Sequence, residues 1–159
     1  MFEHYSEHAR SVLEHARQEA QKMCHDHLGT EHILLGLIEV KDGVAACVLR
    51  YRQVDLPHAR QQVLSLVTEG TGPKDGNYDA MPRTKHAQNV LDDAVREARI
   101  LKHTTVGSEH LLLGLLYENE GAGALVLRNL GLNLNTIRED VLYFLERERC
   151  EECAACDTA

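Results

Sequence analysis

Residues 5–67 align without a gap on residues 83–145, at a constant offset of 78. A gapless duplication of this length requires that whatever one half folds into, the other half folds into as well. The segment Leu28-Gly29-Thr30-Glu31-His32-Ile33-Leu34-Leu35-Gly36-Leu37 returns as Val106-Gly107-Ser108-Glu109-His110-Leu111-Leu112-Leu113-Gly114-Leu115. Upstream, Ala9, Val12, Leu13, Ala16, Glu19 and Ala20 return as Ala87, Val90, Leu91, Ala94, Glu97 and Ala98. Downstream, Gly43, Val48, Leu49 and Arg50 return as Gly121, Val126, Leu127 and Arg128. Thr68 to Asn77, rich in Gly, Pro and polar residues, has linker composition. The expected organisation is one unit over 1–67, a linker over 68–82, a second unit over 83–146 and a cysteine-bearing tail over 147–159.

Each unit reads as four helices. Ala9, Val12, Leu13, Ala16, Ala20 and Met23 recur at helical spacing and form one apolar stripe, as do Ala87, Val90, Leu91, Ala94, Ala98 and Leu101. Ser6 and Thr84 stand where they would cap these first helices. The Leu-rich run after Glu31-His32 or Glu109-His110 is apolar almost all round, which predicts a central, buried second helix. Thr30 and Ser108 are the expected caps of that helix. Gly43 and Gly121 break the chain before a third helix, and Asp55 and Asn133 cap a fourth, with Pro57 tolerated in its first turn. No stretch alternates with period two, so the fold class is all-α: eight helices in two repeats about a pseudo-twofold axis.

Composition excludes several functions. With 17 Lys+Arg against 25 Asp+Glu, the formal charge is −8, which argues against nucleic acid because phosphate neutralisation needs a basic surplus. No apolar run approaches the ~20 residues of a membrane span, and the polar start does not resemble a signal peptide. The five cysteines then read as reduced thiols or metal ligands in a cytoplasmic setting. No G-x-x-x-x-G-K-[ST] is present, so the chain has no phosphate-cradling ATPase loop, and no catalytic constellation can be assembled. The expectation is a non-enzyme without a cofactor.

The doubled Gly-Thr/Ser-Glu-His-x-Leu-Leu-Gly-Leu segment, each followed by a Gly that opens a third helix, resembles the Clp repeat. Two such repeats form the N-terminal domain of ClpC/ClpA-type AAA+ unfoldases, and the resemblance is to ClpC above all. It implies a helical docking module whose partners are adaptor or substrate proteins of a Clp protease, or the Clp ATPase itself, with neither nucleic acid nor membrane. In some bacteria the domain recognises phosphoarginine. The chain is then either a stand-alone Clp-repeat protein or the leading domain of a longer unfoldase.

Glu31 and Glu109 have two readings: first-turn carboxylates favoured by the helix dipole, or acceptors for a guanidinium. By resemblance they match the family's phosphoarginine-binding glutamates. Ser6 and Thr84 are caps, and the resemblance also places phosphate-side contacts near them. Two residues further on the family often has Arg, where this chain has His8 and His86, weaker phosphate partners. A first helix from Ser6 to His25 would be roughly 28 Å long, which separates Ser6 from Glu31. Cooperation would therefore cross the repeats, Ser6 with Glu109 and Thr84 with Glu31, in two near-identical sites.

His32 and His110 read as packed or capping residues rather than metal ligands, and Cys24 and Cys47 as small hydrophobes. Cys150, Cys153 and Cys156 form C-x-x-C-x-x-C, three thiolates where zinc or a cluster wants four ligands. A frayed tail without metal is expected there. The alternative function is a metal- or redox-responsive protein that uses these three cysteines on a Clp-like scaffold.

Overall fold

The two stripes and the two Leu-rich runs form four helices that pack in pairs. The computed structural model describes residues 4–72 and 81–157, with side chains to Glu148. Among these, eight helices follow in order: α1 (Glu7–Lys22), α2 (Thr30–Glu39), α3 (Val44–Tyr51), α4 (Leu56–Leu66), α5 (Lys85–Ile100), α6 (Ser108–Glu118), α7 (Ala122–Asn129) and α8 (Leu134–Asp157). No strand occurs among the described residues.

α1 lies along α2, and α5 along α6. Their separation is set by one glycine in each pair. A side chain at Gly36 would begin 2.4 Å from the carbonyl oxygen of Val12, and one at Gly114 would begin 2.5 Å from that of Val90. The helices therefore meet backbone to backbone, closer than any Cβ permits. With α1 on one side, α2 turns its other faces to α4, α6 and α7, so Ile33, Leu34 and Leu35 are wholly buried. Leu111, Leu112 and Leu113 of α6 are buried in the same way.

The halves interlock. α2 packs on α7 and α3 on α6; α3 also meets α8, and α4 meets α7. Two short parallel bridges close the seam: Ser6 donates its amide to the Val106 carbonyl at 2.9 Å, and Thr84 donates to the Leu28 carbonyl at 2.9 Å. These are equivalent residues under the repeat offset, so the pseudo-twofold axis passes between them. Buried charges repeat as well. Glu19 of α1 holds Arg60 of α4 at 2.7 Å, and Glu97 of α5 holds Arg138 of α8 at 2.6 Å. Each Glu is 2% exposed, so each pair fixes where a fourth helix lands more than it adds stability.

Two expectations are corrected here. Thr30 and Ser108 are the first residues of their helices, not the caps; Gly29 and Gly107 hold the cap position. The tail is not frayed backbone, because α8 runs on to Asp157; the side chains of Cys150, Cys153 and Cys156 lie outside the described residues. Of the linker, residues 73–80 also lie outside them. Its start is fastened to the first repeat: Gly70 and Gly72 donate their amides to the carbonyls of Met23 and Cys24, at 2.8 and 2.9 Å.

Leu35→Ala and Leu113→Ala are each expected to cost about 2–5 kcal/mol, and Gly36→Ala about 1–3 kcal/mol by forcing α2 off α1. Urea unfolding measures all three; unchanged midpoints would contradict the packing described.

Candidate functional site

At each end of the seam, three helix N-termini converge. Ser6 caps α1, its Oγ accepting the Ala9 amide at 3.1 Å, and Thr84 caps α5 through the Ala87 amide at 3.1 Å. The bridges set Ser6 beside Val106, three residues before Glu109, and Thr84 beside Leu28, three residues before Glu31. Each cap thus adjoins the loop that carries the other repeat's glutamate. The backbone crosses the repeats in the sense that helix length demands.

Both glutamates fold back over the glycine that starts their helix. The carboxylate of Glu31 occupies the space where a Gly29 side chain would stand, and that of Glu109 does the same at Gly107. Burial pushes the Glu109 carboxyl above the usual carboxylate range, opposed by a hydrogen bond with its own amide and by the nearby imidazoles of His103 and His8. The His8 ring lies against Gly43, where a side chain would begin 3.2 Å from the imidazole and 3.0 Å from Ser108 Oγ. His86 takes a different partner, holding Glu118 at 2.5 Å.

Behind each glutamate stands a histidine pair, and the backbone decides its proton positions. The Gly29 amide can only donate, so His32 Nδ1, 2.9 Å away, accepts, and neutral His32 carries its proton on Nε2. That proton points at His25 Nδ1 at 2.8 Å, and His25 Nε2 in turn donates to the Thr68 carbonyl at 2.7 Å. In the second repeat Gly107 donates to His110 Nδ1 at 2.8 Å, and His110 Nε2 donates to His103 Nδ1 at 2.8 Å. Burial, with the neighbouring histidines adding to it, lowers His32 to about 3 and His110 to about 4.

His25, Glu31 and His32 bring ligand atoms within 4.8 Å of one another, as do His103, Glu109 and His110. The hydrogen bonds do not suit a metal there. His32 and His110 each present a proton, not a lone pair, to the centre of the group, and the partner's lone pair already receives it. His32 and His110 are packed capping groups that accept the amides of Gly29 and Gly107, as the sequence reading held for these two. That reading missed His25 and His103; they share the 78-residue offset, and this equivalence was the available signal. It also missed Glu118, which has Val40 as its counterpart and so no repeat signal at all.

The model of the Clp repeat (R) N-terminal domain family matches residues 4–130 and again residues 82–156. The chain belongs to the Clp repeat N-terminal domain family. Over 146 residues it is 40% identical to a probable ATP-dependent Clp protease ATP-binding subunit of Chlamydia pneumoniae, covering 92% of this chain and 17% of that protein. Over 144 residues it is 44% identical to the chloroplastic chaperone protein ClpC1 of Oryza sativa subsp. japonica, covering 89% of this chain and 15% of that protein. The Clp-repeat chain thus spans about a sixth of the length of these relatives. Among solved structures, the N-terminal domain of the chaperone ClpD from Arabidopsis thaliana superposes with a TM-score of 0.73 at 25% identity, over 92% of this chain and 97% of that one. The Hsp104 N-terminal domain from Candida albicans shares the fold, with a TM-score of 0.70 at 17% identity, over 88% and 90% of the two chains. Among the described residues, no helix is long and apolar enough to cross a membrane.

The lowered histidines give a pH dependence of known sign. Unfolded histidine binds a proton near pH 6.5, whereas folded His32 and His110 refuse one down to about 3 and about 4. Above pH 6.5 neither state is protonated and the stability is flat; as pH falls from 6.5 towards 4, the unfolded chain gains protons and the fold weakens. The loss at pH 5 should be roughly 1–2 kcal/mol per histidine. Urea unfolding at pH 7.5 and 5.0 should show a smaller acid loss in His32→Asn and His110→Asn than in wild type. Equal losses in all three would refute the assignment.

Proposed function

We propose that this chain is a docking domain of the Clp ATP-dependent protease system, receiving adaptor or substrate proteins and performing no catalysis itself. Its relatives carry the equivalent segment within ATP-binding subunits and a chaperone. In this reading it serves either as the leading part of such a protein or as a separate chain that acts on one. The cytoplasmic setting belongs to the proposal, and chloroplastic proteins are among the relatives.

The observation that carries the proposal is the duplicated carboxylate at the seam. Glu31 and Glu109 lie in the first turn of the two central helices, each following a loop that the opposite repeat's cap residue bridges. Their side chains are 11% and 13% exposed, enough for an edge to meet an incoming group while most of the carboxylate is out of water. A guanidinium is the fitting partner, because it meets a carboxylate with two parallel hydrogen bonds. Ser6, Thr84, His8 and His86 are assigned to the same docking surface. A substrate arginine, free or phosphorylated, is the group proposed to enter.

Glu31→Gln and Glu109→Gln should leave folding within about 1 kcal/mol of wild type, the scale of a first-turn dipole interaction. Binding of a phosphoarginine-bearing peptide, followed by calorimetry, should fall by about 1.5–3 kcal/mol where a charge-assisted contact is lost. The double variant should lose the most. Equal affinity in wild type and all variants would place docking elsewhere.

A further inference from the structure

α2 carries one carboxylate near its start, Glu31, and another at its far end, Glu39. At that far end a cavity of about 460 Å³ opens between the last turn of α2, one face of α3 and the start of α4. Leu37, Val40, Leu49 and Val54, all buried, form its wall. Its size falls within the roughly 300–1,000 Å³ of sites that accept a ligand, and a mostly apolar wall with a few polar groups is their usual lining.

Four charged residues also line the cavity: Glu39, Lys41, Arg50 and Asp55. Two of them are engaged. Arg50 Nη2 donates to the Lys41 carbonyl at 3.2 Å, and Asp55 holds His58 by its amide at 2.9 Å and by its ring nitrogen at 2.6 Å. Lys41 is exposed, and its charge stays in water. Glu39 differs from all three: its Oε2 is buried and has no hydrogen-bond partner among the described residues. A carboxylate oxygen kept from water without a donor costs stability. The second repeat treats the same position otherwise. Tyr117 stands in place of Glu39, and Arg96 lays its guanidinium over that ring, 4.1 Å from its centre. The counterpart of Arg96 is Gln18, exposed and neutral. The second repeat thus brings its own cation to the end of its central helix. The first has a carboxylate there, and Gln18 brings it no charge.

We infer that the cavity between α2, α3 and α4 receives a basic side chain of a protein partner, with Glu39 as the group that recognises it. The aliphatic stem lies along Leu37, Val40, Leu49 and Val54. The cationic head meets Glu39, whose carboxylate turns from the wall to take it in a charge-assisted hydrogen bond. A neutral or acidic side chain fills the same space but leaves Glu39 without a donor. That the partner is a docking protein rests on the reading above; the choice of a basic side chain rests on Glu39.

The test is a titration of the full chain with acetyl-Leu-Lys-Leu-amide and with its norleucine analogue, which has the same stem and no charge. Binding is read from the amide chemical shifts of Val40, Leu49 and Val54. Saturable shifts are expected with both peptides, the lysine peptide binding about tenfold tighter, the scale of one charge-assisted hydrogen bond. Glu39→Gln should bring the lysine peptide down to the level of the norleucine one. Urea unfolding of Glu39→Gln should show no loss of stability, because the buried oxygen has no donor to lose. A lowered midpoint would mean that Glu39 is already partnered and would overturn the inference. So would the absence of saturable shifts, equal affinity for the two peptides in wild type, or a lysine preference that Glu39→Gln leaves intact. If the cavity fails in this way while a phosphoarginine peptide still binds through Glu31 and Glu109, the docking reading stands without it. If the cavity selects lysine as stated while the phosphoarginine peptide ignores both glutamates, the docking reading at the seam fails and the basic-side-chain site stands.

Discussion

The structure depends on how closely one helix can approach another. Gly36 against Val12, and Gly114 against Val90, bring α2 and α6 onto the backbones of α1 and α5. At that separation α1 covers one side of α2 without interposed side chains, and the remaining faces are free to bury leucine against α4, α6 and α7. A larger residue would lift each central helix and open space along the whole seam. The bridges from Ser6 to Val106 and from Thr84 to Leu28 form only because the helix ends arrive where this packing puts them. The convergence of N-termini at the seam is thus a downstream result of two glycines.

Polar groups in the interior follow one rule: each is placed where its hydrogen bonds can be completed. The amides of Gly29 and Gly107 fix the tautomers of His32 and His110, and those imidazoles pass the requirement on to His25 and His103. Neutral relays of this kind cost little in a dry core, whereas a charged imidazole there would lose its hydration and its acceptor together. The Glu19–Arg60 and Glu97–Arg138 pairs apply the same rule to full charges. The rule is broken at Glu39 Oε2, Ser108 Oγ and Arg138 Nε.

Much of the fold was legible because the signals were local or duplicated. The stripes from Ala9 to Met23 and from Ala87 to Leu101, the caps at Ser6, Thr84, Asp55 and Asn133, and the all-round apolar second helices depend on spacing along the chain alone. The misplaced caps at Thr30 and Ser108 show where that reasoning ends. A hydroxyl before a helix is a good local cap, but here the imidazole three residues on from each Gly takes that work, and Thr30 Oγ1 is spent on the opposite repeat. The site was half legible. Glu31 and Glu109 announce themselves by repetition, while the part played by Glu118 depends on a contact 32 residues away with His86 and on the absence of a partner at Val40. Repetition reveals what the halves share and is silent about where they diverge.

The fastening of Thr68, Gly70 and Gly72 to the α1–α2 turn bears on how a duplicated chain assembles. Two molecules with near-identical halves can in principle exchange them, a familiar failure of repeat proteins. With Gly72 tied to the Cys24 carbonyl, the start of the connecting segment belongs to the first half. Fixing the start of a connection raises the effective concentration of one half around the other. That favours pairing within a chain over exchange between chains. The equivalent stretch after the second repeat is helix, so the strap exists on one side only.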